Sequence, residues 1–127
     1  MTESALLLDS NVVVWLDQKP QRIADSVLLR LESAPQVFLS AVTAWELAIK
    51  QSLGSLTLRR PVSDLIHTHR MTELAVTIRH GEAVRNLPLH HRDPFDRLLV
   101  AQAMVEGLVL VTGDRKLAAY GVAILLV

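Results

Sequence analysis

Short apolar runs alternate with longer amphipathic ones along the chain, and that alternation predicts an α/β domain built on a mostly parallel sheet. Five runs read as strands: Ala5 to Leu8, Val37 to Leu39, Leu74 to Ile78, Leu108 to Thr112 and Val122 to Val127. They are short, rich in Leu and β-branched residues and without polar alternation, as strands covered on both faces are. Helical spacing fills the intervals: Asn11 to Leu16, Ile23 to Ser33, Ala44 to Leu53, Val62 to Met71, Gly81 to Asn86, Pro94 to Glu106 and Arg115 to Tyr120. Leu47, Leu53, Ile66 and Met71 lie on amphipathic faces and are expected in the core. Trp15 and Trp45 are expected to be core or interface anchors rather than platforms for stacked bases, because aromatics bury large areas. No linker, repeat or low-complexity segment interrupts the pattern, and Leu56 to Pro61 reads as an ordinary connection. A single domain over residues 1–127 is expected.

Composition narrows the class. With 50% hydrophobic residues, 20% charged, 5 Gly and 5 Pro in 127 residues, the chain is far from disordered and fibrous sequences. The longest apolar stretch, Leu117 to Val127, is well short of the ~20 residues that span a bilayer. The N-terminal MTESALLLDS lacks the basic and apolar regions of a signal peptide, so a cytoplasmic location and no membrane association are expected. Zero cysteines exclude disulfide frameworks, thiolate metal sites and a cysteine nucleophile. Any hydrolysis must therefore use oxygen or nitrogen groups.

The 13 basic and 13 acidic residues cancel, which does not advertise a nucleic-acid binder. The total conceals a gradient. Residues 59–97 hold seven arginines (59, 60, 70, 79, 85, 92 and 97) against five acids, and all five histidines fall between His67 and His91. A surface that favours phosphates would come from this middle stretch.

In an open parallel sheet, ligands sit outside the carboxyl ends of the strands where the strand order reverses. The first strand runs into Asp9-Ser10-Asn11 and the fourth into Thr112-Gly113-Asp114. The helix after the second strand carries Glu46, and the helix leading to the fourth strand opens Asp93-Pro94-Phe95-Asp96. Each acid has a local explanation. Thr43 and Glu46 have the spacing of a capping box, and Asp93 before Pro94 is an N-cap with Asp96 complementing the helix dipole. Asp9 and Asp114 suit Asx turns or caps. Four carboxylates converging on one crevice are another matter, since like charges repel and need a counter-charge. Mg²⁺ or Mn²⁺ prefers such oxygen ligands and leaves room for water and phosphate, which points to metal-assisted attack of water on a phosphodiester.

Four segments, Leu-Leu-Leu-Asp-Ser-Asn-Val-Val-Val-Trp (6–15), Ser-Ala-Val-Thr-Ala-Trp-Glu-Leu (40–47), His-Arg-Asp-Pro-Phe-Asp-Arg-Leu-Leu-Val-Ala-Gln-Ala (91–103) and Leu-Val-Thr-Gly-Asp (110–114), resemble the successive blocks of PIN-domain ribonucleases. More narrowly they resemble the VapC-type toxins of type II toxin-antitoxin modules. The resemblance implies a PIN-like five-stranded sheet in the order 3-2-1-4-5. It also implies a metal site made by Asp9, Glu46, Asp96 and Asp114, with Asn11 and Thr112 orienting carboxylates or water and Asp93 accessory. The first block carries Asp-Ser-Asn where many relatives have Asp-Thr-His or Asp-Thr-Ser. The implied activity is Mg²⁺- or Mn²⁺-dependent endoribonuclease cleavage of tRNA or rRNA. The implied partners are an RNA substrate, a cognate antitoxin and a second copy in a homodimer, and the region between the second and third helices is where such relatives often form the antitoxin groove or dimer surface.

Arg97, His91 and Arg92 are candidate RNA contacts, with Arg97 equally suited to an acidic partner. His90 and His91 with Asp93 make a poor zinc site, because adjacent loop histidines diverge and no third ligand is suitably spaced. Two other functions fit parts of the pattern. Asp9 after the first strand resembles the nucleophile of haloacid-dehalogenase phosphohydrolases, but the acid they need two residues on is Asn11 here. A catalytically silent PIN-like interaction module is the other, and the presence of all four acids argues against it.

Overall fold

The computed structural model describes residues 4–127, so the first three residues of the N-terminal stretch lie outside the described residues. Strands β1 (Leu6–Leu8), β2 (Val37–Ser40), β3 (Thr72–Leu74), β4 (Val109–Thr112) and β5 (Ile124–Leu126) form one sheet in the order β3-β2-β1-β4-β5. All four pairings are parallel, with Leu6 opposite both Val37 and Val109 and Thr112 opposite Leu126. The order expected from the resemblance is the order observed. Connections leave β1 toward β2 and β3 on one side and reach β4 and β5 on the other, so the order reverses between β1 and β4. That switch point is where a ligand crevice opens.

The triple leucine of β1 explains its central place. Leu6, Leu7 and Leu8 are fully buried, and because successive strand side chains face opposite ways they enter different cores. Leu6 and Leu8 pack with Val12, Val27, Leu39 and Leu65. Leu7 packs with Val42, Leu99, Leu110 and Leu117. Each buried leucine contributes about 2 kcal/mol, which only a strand covered on both faces can realise for every residue. The covering helices are α1 (Ser10–Gln18), α2 (Asp25–Ser33), α3 (Ala41–Ser52), α4 (Val62–Thr68), α5 (Ile78–Val84) and α6 (Pro94–Glu106), with 3-10 turns at Pro20–Arg22 and Arg115–Tyr120. Among the described residues no helix is long and apolar enough to cross a membrane.

Several boundaries depart from the sequence pattern for identifiable reasons. The apolar run 74–78 is not the third strand; β3 is the more polar Thr72–Leu74, an edge strand with Thr72 and Glu73 exposed. The run is cut at Thr77, which caps α5: its hydroxyl accepts the His80 amide at 3.3 Å while His80 Nδ1 accepts the Thr77 amide at 3.0 Å. This is a capping box with histidine in the usual place of Glu or Gln. α4 stops at Thr68, not Met71, because Arg70 turns left-handed (φ 54°) and the Met71 amide bonds back to Ile66 at 2.9 Å. That is a Schellman ending without glycine, in which Met71 buries itself.

α3 begins three residues earlier than expected. Ser40, the last residue of β2, is its cap and accepts the Val42 amide at 3.1 Å, so Thr43 and Glu46 lie inside the helix and form no capping box. Core expectations also divide. Leu47 and Met71 are buried and Ile66 is partly so, but Leu53 is exposed past the end of α3. Trp15 is half-buried with its ring against Gly113, whereas Trp45 is exposed and meets the Phe95 ring in a T-shaped contact, centroids 5.1 Å apart.

Candidate active site

Four segments deliver acids to the carboxyl edge of β1 and β4. Asp9 follows β1 directly and caps α1. Its Oδ1 accepts the Ser10 amide at 2.6 Å, and its Oδ2 accepts the Thr112 hydroxyl at 2.7 Å. Thr112 ends β4 and its Oγ1 also accepts the Asp114 amide at 3.0 Å. One fully buried hydroxyl therefore ties the first acid to the turn bearing the last. Asp114 in turn caps the 3-10 segment, accepting the Lys116 amide at 3.0 Å.

α6 supplies the third acid. Asp93 is its N-cap and accepts the amides of Phe95 and Asp96 at 2.8 and 3.2 Å, with Pro94 at the first helical position where no amide is needed. Asp96 then projects from the first turn into the crevice. Burial pushes its carboxyl up to about 7, the charges of Asp9, Asp93 and Glu46 push the same way, and His91 opposes them. A carboxyl so placed lacks a counter-charge.

Glu46, buried on α3, keeps one oxygen on Lys50, one helical turn on, at 2.9 Å. That hydrogen bond holds the Lys50 ammonium above its ordinary range, and Asp93 and Asp9 add to the effect. The other oxygen, Oε1, is buried with no hydrogen-bond partner. A buried carboxylate oxygen left unpaired costs free energy. Together with the strained ionisation of Asp96, it marks a place suited to a cation. Oxygen donors from Asp9, Glu46, Asp96 and Asp114 match the preferences of a hard divalent ion.

The tightest group of metal-capable side chains is not the four acids but His91, Asp96 and Asp114, whose ligand atoms lie within 4.8 Å of one another. His91 Nε2 is 3.2 Å from Asp114 Oδ2 and 3.6 Å from Asp96 Oδ2. The sequence offered His91 only as an RNA contact or half of a zinc pair. His90 does not join it: its ring packs edge-on against Tyr120, centroids 5.1 Å apart.

Among the described residues Arg97 pairs with no acid. Its guanidinium is spent on the carbonyls of Val84, Leu87 and Pro88 and on the Tyr120 hydroxyl, at 2.8 to 3.4 Å. It thus ties the loop after α5 to α6. Arg92 is exposed beside His91, and Asn11 is exposed in the first turn of α1. The role of Lys50 escaped the sequence reading, although its spacing from Glu46 was the available signal. So did Gln102, fully buried on α6, whose Oε1 accepts the Ser40 hydroxyl at 2.5 Å and whose amide meets the Ala75 carbonyl at 3.3 Å. The first bond ties α6, which carries Asp96, to the cap of α3, which carries Glu46, and the second ties α6 to the turn after β3.

The PIN-domain family model matches residues 6–123. Ribonuclease VapC22 of Mycobacterium tuberculosis is 29% identical over 120 residues, 92% of each chain. Among solved structures, the chain is similar to one in VapBC2 from Rickettsia felis bound to a DNA fragment from its promoter (TM-score 0.72, 14% identity, covering 95% of this chain and 97% of that one). It is similar also to one in DNA-bound VapBC from Salmonella typhimurium (TM-score 0.68, 19% identity, covering 97% and 98%). At these identities the structural likeness shows a shared fold.

Proposed function

The chain belongs to the PIN-domain family, and from that premise we propose that it is a metal-dependent endoribonuclease, the VapC-type toxin of a toxin-antitoxin module. The observation that carries this reading is the buried, unpartnered Oε1 of Glu46 beside the β1–β4 switch point, where Asp96 feels the charges of Asp9 and Glu46 and shares His91 with Asp114. The ribonuclease name of the Mycobacterium tuberculosis relative supports the chemistry. The VapBC complexes of similar fold support an antitoxin as partner.

In this reading the four carboxylates hold Mg²⁺ or Mn²⁺. Such an ion, when bound, supplies an acidified water and positive charge against the phosphate oxygens. The chain's own residues do the rest. Thr112 keeps Asp9 and Asp114 in one orientation, Lys50 holds Glu46 with its free oxygen inward, and Asp93 sets the helix start that aims Asp96. Arg92, exposed and next in sequence to His91, is the proposed contact for the RNA backbone, its sequence-neutral charge giving affinity rather than choice of base. tRNA or rRNA is the proposed target class. A homodimer and the antitoxin are the proposed partners of its exposed apolar side chains, Trp45 and Leu53 among them.

Purified protein is expected to cut a structured RNA such as tRNA with Mg²⁺ or Mn²⁺ and to stop on addition of EDTA. Asp9→Asn and Asp96→Asn proteins are expected to be at least about 100-fold slower, given what charge stabilisation in such sites contributes. Cleavage that survives EDTA, or undiminished activity in either variant, refutes the reading.

A further inference from the structure

His91 stands where a ligand would stand, between Asp96 and Asp114, yet its hydrogen bonds exclude that use. A backbone N–H is an obligatory donor, and the Asp93 amide donates to His91 Nδ1 at 3.2 Å. A ring nitrogen that accepts carries no hydrogen, so the neutral ring bears its hydrogen on Nε2. Nε2 is the atom that faces Asp114 Oδ2 at 3.2 Å and Asp96 Oδ2 at 3.6 Å. It offers those carboxylates a donor and offers a cation no lone pair.

Histidines that bind metals are wired the other way, with the distal nitrogen donating to a carboxylate, a carbonyl or water. His80 repeats the wiring of His91 in the same protein: Nδ1 accepts the Thr77 amide, and Nε2 meets Glu106 Oε2 at 2.7 Å. The segment around His91 is also fixed. Its backbone amide donates to the Tyr120 hydroxyl at 2.9 Å, and that hydroxyl is held by Arg97 at 3.2 Å.

We infer that His91 is a positioning residue outside the ligand set of the metal centre: its Nε2–H donates to Asp114 Oδ2 and aims the carboxylates of Asp114 and Asp96 at an ion held by oxygen alone. The inference rests on the metal-dependent reading above. It makes the site one that favours Mg²⁺ and Mn²⁺ over Zn²⁺, because imidazole nitrogen is missing from the ligands.

The test uses the full chain loaded with Mn²⁺ and labelled with ¹⁵N-histidine. Electron spin-echo envelope modulation is expected to show no directly coordinated nitrogen; a first-sphere ¹⁵N coupling overturns the inference while leaving the metal site intact. Calorimetric titration with Mn²⁺ separates positioning from mere structure. His91→Gln, which retains an N–H near the same place, is expected to stay within about threefold of the wild-type dissociation constant. His91→Ala is expected to weaken it about 10- to 100-fold, the range for lost partners of metal ligands. Equal loss in both variants overturns the donor role, and so does wild-type affinity in both. Failure of wild-type protein to bind Mn²⁺ at all overturns the inference together with the metal-dependent reading, and is distinct from every other outcome.

Discussion

Metal-free protein is expected to lose stability as the pH rises from 4 to 7, and Asp96→Asn is expected to abolish most of that loss. The ordinary value of this carboxyl is 3.8; in the fold, burial first and then the charges of Asp9 and Asp93 push it to about 7. Between those two values the folded state binds more protons at Asp96 than the unfolded state does. Stability contributed by this group is therefore full below 3.8, falls with rising pH through the interval and is flat above 7. At 1.36 kcal/mol per pH step the full interval corresponds to about 4 kcal/mol. Water reaches the side chain, which is 17% exposed, and screening reduces the expected effect to about 2 kcal/mol. Urea unfolding of EDTA-treated protein at pH 4 and pH 8 measures it, with the difference between wild type and Asp96→Asn isolating the one group. The variant should be the more stable protein at pH 8 by that amount, and Mg²⁺ should close the gap by binding only the folded wild type. Identical pH dependence in the two proteins would refute the account of Asp96 as a carboxyl lacking its counter-charge.

Thr112→Val removes the hydroxyl that joins Asp9 to the Asp114 amide. It is expected to cost about 1–3 kcal/mol in urea unfolding and about 10- to 100-fold in Mn²⁺ affinity by calorimetry. Gly113→Ala places a methyl 3.3 Å from two atoms of the Trp15 ring; the crowding is expected to cost about 1 kcal/mol and to alter tryptophan fluorescence. Arg97→Met removes one donor from each of three carbonyls at and after the end of α5. Amide hydrogen exchange in residues 85–93 is expected to accelerate at least about tenfold while the β1 amides keep their protection.

Patterning reached the sheet because its strands are buried on both faces and so appear as uninterrupted apolar runs; β1 and β4 are the clear cases. It failed at β3, where an edge strand with solvent on one side needs little apolar character, and the adjacent apolar residues belong to a turn and a helix start. The acids were legible because parallel topology places whatever follows β1 and β4 at one edge. Their partners were not. Ser40 took the cap assigned to Thr43, and Arg97 went to carbonyls, because hydrogen-bond choice among several nearby groups depends on distances that spacing along the chain does not encode. His91 shows the same limit: its neighbourhood could be guessed, but its tautomer follows from one amide, that of Asp93.

Asp9 carries a cap and a candidate ligand in one side chain. Asn and Ser cap helices about as well as Asp, so a change of a few atoms at residue 9 removes a charge without removing the helix start. The chemistry proposed for this carboxylate is thus expected to be genetically separable from folding. A copy silenced there remains a well-formed chain that keeps Trp45, Leu53 and its other exposed apolar side chains available for binding. On the proposed function such a copy is expected to compete with active copies for shared partners, so that one inactivating substitution would act as an interfering allele instead of a simple loss.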